Sequence, residues 1–180
     1  MSAAYWFPDN STLCNFGAVQ RIALLERVLI SRGRWTSAVE FEVRRSLSYV
    51  SGLAPLLDGA WLGEAIDPVA EQAMEIENVR QAVFGGKATE PLKHLGEAQT
   101  CFVLRTDPGL RSLATWITDD LAAYDYGKAS GLLTWSTRDV VEYLIADGDL
   151  SPAQGYDLLC EMQDNDRCVL RMPGAAAELH

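Results

Sequence analysis

A chain of 180 residues, 48% of them hydrophobic, has room for one domain with a buried core. No apolar run approaches the roughly 18 residues that a membrane helix needs, which excludes a membrane span. A net charge of −10 argues against binding duplex nucleic acid through a broad basic face, so any nucleic-acid contact has to come from local basic residues.

Residues 1–7 carry no charged leader and no long apolar stretch, so they do not read as a signal peptide, and the cytoplasm is the expected location. Cys14, Cys101, Cys160 and Cys168 are widely spread without a CxxC pair. With His94 and His180 as the only histidines, they read as reduced thiols and not as a zinc cluster.

In chain order, the short apolar run 4–7 reads as a first strand, stopped by Pro8, with Asp9 in the following turn. Asn10 and Ser11 are capping residues, which predicts a helix from about Ser11. Ile22, Leu25, Val28 and Leu29 keep helical spacing within 20–31. A short strand is expected at 34–36, and Ser37 caps a helix through about Tyr49. A further strand is expected at 60–66, followed by a helix from Asp67-Pro68 to Phe84 and another over 91–104. Residues 113–117 read as a strand with Asp119 and Asp120 at its carboxyl end, then a helix over 121–129 ended by Gly131. A last strand at 132–135 precedes a helix opened by the Ser136/Asp139 pair, and Ser151-Pro152 opens the final helix, to about Gln163. The expected boundaries are one domain over 1–172 and a flexible tail over 173–180.

Strands alternating with helices predict an α/β fold with a mostly parallel central sheet between two helical layers, a three-layer α/β/α arrangement. Ligands of such folds bind beyond the carboxyl ends of the strands. Asp9, Asp119 and Asp120 fall at that edge, while Glu42 and Glu97 lie in helices where small or apolar neighbours allow them to point inward. Converging carboxylates repel one another and are costly to desolvate, and a cation offsets both effects. An all-oxygen donor set suits Mg²⁺ or Mn²⁺.

Four segments carry a family resemblance. Asp9 followed by Ser11, Thr12, Leu13 and Asn15 resembles the opening motif of the PIN-domain ribonucleases. The helical Glu42 after Thr36-Ser37, the Gly96-Glu97-Ala98 helix start, and Thr118-Asp119-Asp120 resemble the second, third and fourth motifs, in order over residues 5 to about 163. The resemblance implies a PIN-like fold and a metal-dependent endoribonuclease, often the toxin of a toxin–antitoxin pair. Asp9, Glu42, Glu97 and Asp119 or Asp120 would be its catalytic, metal-binding carboxylates. The Thr-x-Asp pattern selects Asp120, and a strand-end reading selects Asp119. Thr12 would support Asp9 or hold a water, and Asn15 would brace the loop. RNA is the implied substrate, with a cognate antitoxin and a homodimer as further implied partners.

Each residue also has a plainer reading. Asp9 and Asp119-Asp120 could be helix caps, Glu42 a solvated helix residue, and Glu97 a partner of Lys93 at i−4. From Asp139 to Asp166 there are eight acidic residues and no Lys or Arg, which reads as a solvated acidic face. Arg44 and Arg45, just beyond Glu42, are candidate substrate contacts, and Lys87, Lys93 and Arg138 are further basic residues of interest. The tryptophans read as core residues and not as stacking platforms. The alternative function is a catalytically silent PIN-like interaction module. A phosphatase with an aspartate nucleophile would want Asp where Ser11 stands, and a phosphotransfer receiver would want a lysine within 136–138, so both are disfavoured.

Overall fold

The structure is a computed structural model, and its described residues are 5–58 and 60–180. Three strands, β1 (Tyr5–Pro8), β2 (Ala114–Ile117) and β3 (Leu133–Trp135), form a parallel sheet in the order β1-β2-β3. The helices longer than one turn or so are α1 (Asn10–Ala18), α2 (Ile22–Leu29), α3 (Ser37–Ser46), α4 (Ala54–Asp58), α5 (Ala73–Ala82), α6 (Leu95–Thr106), α7 (Pro108–Leu113), α8 (Leu121–Ala129), α9 (Thr137–Ala146) and α10 (Pro152–Asp164). The mixed α/β class with a parallel sheet therefore stands. Ala4, placed in the first strand by the sequence, lies outside the described residues.

Side chains alternate across the sheet, as a strand period of two requires. Trp6 and Ile117 enter one hydrophobic core with α1, α2, α3, α9 and α10, while Phe7 and Trp116 enter another with α5, α6 and α8. Trp6, Trp35 and Trp116 are buried, and Trp6 meets Trp135 edge to face with ring centroids 4.9 Å apart. Core packing is thus their role.

In place of the strands expected at 34–36 and 60–66 there are single parallel bridges, Trp6↔Gly33 against β1 and Thr36↔Ile66 between the two segments. Residues 60–62 form a 3-10 turn, and Gly63 takes a left-handed backbone (φ 67°), which ends any extended run there. The 91–104 helix starts late, at Leu95. The carbonyls of Lys87, Glu90 and Lys93 accept hydrogen bonds from the guanidinium of Arg80, at 3.0–3.1 Å. They hold residues 87–93 as a loop wound around that side chain. The 67–84 helix likewise begins with a 3-10 turn at 70–72 and becomes α-helical at Ala73. Helices α4 and α7 were not expected. Asp107 caps α7 through the amides of Gly109 and Leu110, with Pro108 at the first helical position.

Residues 173–180 are packed and do not form a loose tail. Leu179 is buried in the first core, and Arg138 donates to the carbonyl of Glu178 at 3.0 Å.

Arg80 is fully buried, pairs with Glu77 at 2.7 Å and satisfies three loop carbonyls. Its loss strands those acceptors, so Arg80→Met should cost about 2–4 kcal/mol, or roughly 10 °C in melting temperature. Arg44→Ala, which removes an exposed pair with Glu40, should stay within about 0.5 kcal/mol. Thermal denaturation followed by circular dichroism checks both, and an Arg80→Met melt as mild as that of Arg44→Ala would refute the assignment.

Candidate metal centre

Parallel pairing sets the site. β2 lies between β1 and β3, and its carboxyl end is held by Asp9 N donating to Ile117 O (2.8 Å) and Thr118 N donating to Trp135 O (2.9 Å). Asp9 and residues 118–120 therefore emerge side by side at the carboxyl edge of the sheet.

Asp9 is 3% exposed and caps α1. Its carboxylate accepts from Asn10 N (2.8 Å), Thr118 Oγ1 (3.1 Å) and Ser11 Oγ (3.3 Å). Burial pushes its pKa up to about 8, helped by the charges of Glu97 and Asp120. Glu42 projects from α3 on the face that buries Ala38, Val39 and Ser46. Burial pushes it up to about 8 as well, with the charge of Asp9 adding and the Gly96 amide, 3.3 Å from Oε1, opposing. Glu97, in the first turn of α6, is raised to about 7 by burial and then by the charges of Glu42 and Asp120. Four carboxylates from four places in the chain thus form one mutually repelling group. Among the described residues, none of the four pairs with Lys or Arg within ion-pair distance.

Asp119 is not one of the four. It is 3% exposed, and its oxygens accept from Thr12 Oγ1 (3.1 Å), Asn15 Nδ2 (3.2 Å), Thr137 N and Oγ1, and Leu170 N (3.0 Å). Burial raises its pKa, opposed by these donors. Asp120 faces the cluster and caps α8 through Ala123 N at 2.8 Å. Thr12, expected beside Asp9, serves Asp119. Asn15, expected to brace the loop, donates to Asp119, Thr137 and the Cys168 carbonyl.

Sequence reasoning missed His94. Its backbone is left-handed (φ 62°), and its Nδ1 lies 3.5 Å from Glu97 Oε1. Ligand atoms of His94, Glu97 and Asp120 lie within 4.8 Å of one another, a spacing that one ion can bridge. The i,i+3 relation of His94 to Glu97 was the available signal. Of the basic candidates, Arg44 is taken up by Glu40 and Arg138 holds Glu142, while Lys93 lines the second of two clefts at the site. Arg45 stays at the site, close enough to favour ionised Glu42. Two clefts of about 500 Å³ each share Glu42 and Arg45. One runs past Asn10, Ser46 and Tyr49, the other past Lys93, His94 and Glu97.

The residues fit a hard divalent cation. The donors are carboxylate oxygens supplemented by one imidazole, and their repulsion is relieved by positive charge. Gly96 adds a steric sign, since a Cβ there would lie 2.8 Å from Glu42 Oε2. No protein-family model matches the chain, and no curated protein or solved structure matches it significantly.

Gly96→Ala should therefore move the flexible end of Glu42 without unfolding α6, where alanine is the better helix former by about 1 kcal/mol. Calorimetric titration should show Mn²⁺ affinity reduced about tenfold while the melting temperature holds or rises, and unchanged affinity would refute the cradle. The raised carboxyl groups also set a pH dependence. Asp9, Glu42 and Glu97 stabilise the fold fully below their ordinary values of 3.8 and 4.5, and that contribution is lost as pH rises through about 7 to 8. Protein held in chelator should melt at a lower temperature near about pH 8.5 than near about pH 5, and Asp9→Asn should shrink the difference. Parallel profiles for the two proteins would contradict this.

Proposed function

We propose that this chain is a PIN-type, metal-dependent endoribonuclease with a three-layer α/β/α fold, hydrolysing RNA phosphodiester bonds. Asp9, Glu42, Glu97 and Asp120 would hold a Mg²⁺ or Mn²⁺ ion. The observation that carries the reading is the convergence of these four carboxylates at the carboxyl edge of a parallel sheet, where burial and mutual repulsion raise the pKa values of Asp9, Glu42 and Glu97. Support also comes from the resemblance of the motifs around these residues to the four PIN motifs.

Such an ion, when bound, supplies Lewis acidity toward a phosphate oxygen and lowers the pKa of a coordinated water. The protein's own part is orientation. Asn10 N, Ser11 and Thr118 fix the Asp9 carboxylate, the Gly96 amide fixes Glu42, and the Ala123 amide fixes one oxygen of Asp120. Arg45 offers positive charge on the cleft that an anionic backbone has to enter, where the net charge of −10 would otherwise repel it. Asp119 is assigned to holding the scaffold and not to the ion. A toxin role, restraint by a cognate antitoxin and a homodimer are proposed on the motif resemblance alone, and a cytoplasmic location on the sequence pattern of residues 1–7. Among the described residues no helix is long and apolar enough to cross a membrane.

The test is calorimetric titration of Mn²⁺ into the wild type and Asp9→Asn, with cleavage of a mixed RNA pool on the same samples. Asparagine retains the cap acceptor, so the variant should fold. Loss of cleavage together with at least a tenfold loss of affinity, about 1.4 kcal/mol, supports the reading. A wild type that neither binds Mn²⁺ nor cuts RNA overturns it in favour of a catalytically silent interaction module.

A further inference from the structure

Tyr49 stands at the mouth of the cleft beside Glu42 and is 66% exposed. An exposed tyrosine ordinarily swings freely, but this one is tied. Its hydroxyl lies 2.8 Å from Ser46 Oγ, and Ser46 in turn hydrogen-bonds with the side chain of Asn10 at 3.3 Å. Asn10 directly follows Asp9, so the ring is anchored through two side chains to the start of the acidic site. The result is a large π surface turned to solvent and held in place, which reduces the entropy lost when something stacks on it. Arg45, on the same cleft, is exposed and lies over the Phe41 ring at 5.9 Å, which leaves its guanidinium at the surface. The cleft volume of about 500 Å³ is in the range of small-ligand sites.

We infer that Tyr49 and Arg45 form a nucleotide subsite next to the acidic centre, Tyr49 stacking on an unpaired nucleobase while Arg45 holds a phosphate of the same strand. The inference rests on the ribonuclease reading and gives it a binding register, with the strand running from Tyr49 across Glu42. An aromatic face selects for an unpaired base, because bases inside a duplex already cover one another's faces. Asn10, Ser46 and Ser48 line the same cleft and offer hydrogen-bonding groups to the edge of the stacked base.

The experiment is fluorescence anisotropy with a labelled eight-nucleotide single-stranded RNA and the same strand in a duplex. Ca²⁺ replaces Mn²⁺, and the integrity of the RNA is checked on a gel. Wild type, Tyr49→Ala, Tyr49→Leu, Tyr49→Phe and Arg45→Ala are compared, with thermal melts to confirm folding and Mn²⁺ titration to confirm the centre. Tyr49→Ala and Tyr49→Leu should weaken single-strand binding about tenfold and Tyr49→Phe much less, with Mn²⁺ affinity unchanged in all three. Arg45→Ala should weaken binding and flatten its salt dependence. Wild-type affinity in Tyr49→Ala, equal losses in Tyr49→Phe and Tyr49→Ala, or equal binding of the duplex overturns the subsite. The two readings fail separately. A wild type that cuts RNA with Mn²⁺ but ignores Tyr49 loses only the subsite, and one that binds the strand through Tyr49 without cutting loses only the nuclease.

Discussion

The architecture of the site hangs on a buried carboxylate that does not belong to the repelling group. Asp119 gathers donors from Thr12 and Asn15 on α1, Thr137 at the start of α9, and Leu170 in the C-terminal segment. One side chain thereby locks two helices and a distant stretch of chain to the end of β2. A buried carboxyl group with this many donors holds its surroundings in place, because releasing any of them leaves polar atoms under-satisfied in a medium that screens poorly. The register of Asp9 and Asp120, on either side of that lock, follows from it.

Adjacent residues at a strand end point in opposite directions, which explains how Asp119 and Asp120 divide their work. Asp119 turns inward to a ring of hydrogen-bond donors, and Asp120 turns toward Asp9 and Glu97, whose pKa values its charge helps to raise. The difference between them is the company each side chain keeps. A carboxylate met by donors is content without a metal, whereas carboxylates met mainly by other carboxylates need one or need protons.

Local chemistry was legible in the sequence wherever a side chain bonds its own neighbourhood. The Ser136/Asp139 capping box, the Ser151-Pro152 helix start, the 121–129 helix and the stop at Gly131 all lie where the residues indicate. The pairing of Asp9, Glu42, Glu97 and an aspartate after β2 was legible too, since strand ends and a helix face suffice to bring them together. Elements governed by distant partners were not. Residues 91–94 read as helix, but Arg80, more than ten residues earlier, claims the carbonyls around them. The tail reads as loose because Leu179 finds its place only in a core assembled from α1, α2, α9 and α10. The choice between Asp119 and Asp120 could not be made from a pattern, because it depends on donors as far apart as Thr12 and Leu170.

Charge placement completes the picture. The acidic run from Asp139 to Asp166 is partly answered by cations outside it, Arg171 on Asp139, the adjacent Arg138 on Glu142 within α9, and Arg27 on Asp149. Those arginines are engaged with carboxylates outside the four-residue acidic group. Arg45 is left beside that group, next to Glu42, with Lys93 along the second cleft. Coulomb attraction in water decays within about 8 Å at physiological salt, so a polyanion near this surface responds to such local cations and hardly at all to the total charge of the protein. A strongly negative overall balance is thus compatible with the proposed phosphodiester substrate. Under the proposed ribonuclease reading, a cation in the acidic centre would be part of the attraction and not merely part of the chemistry, because ionised carboxylates there would repel a phosphate that Arg45 would attract.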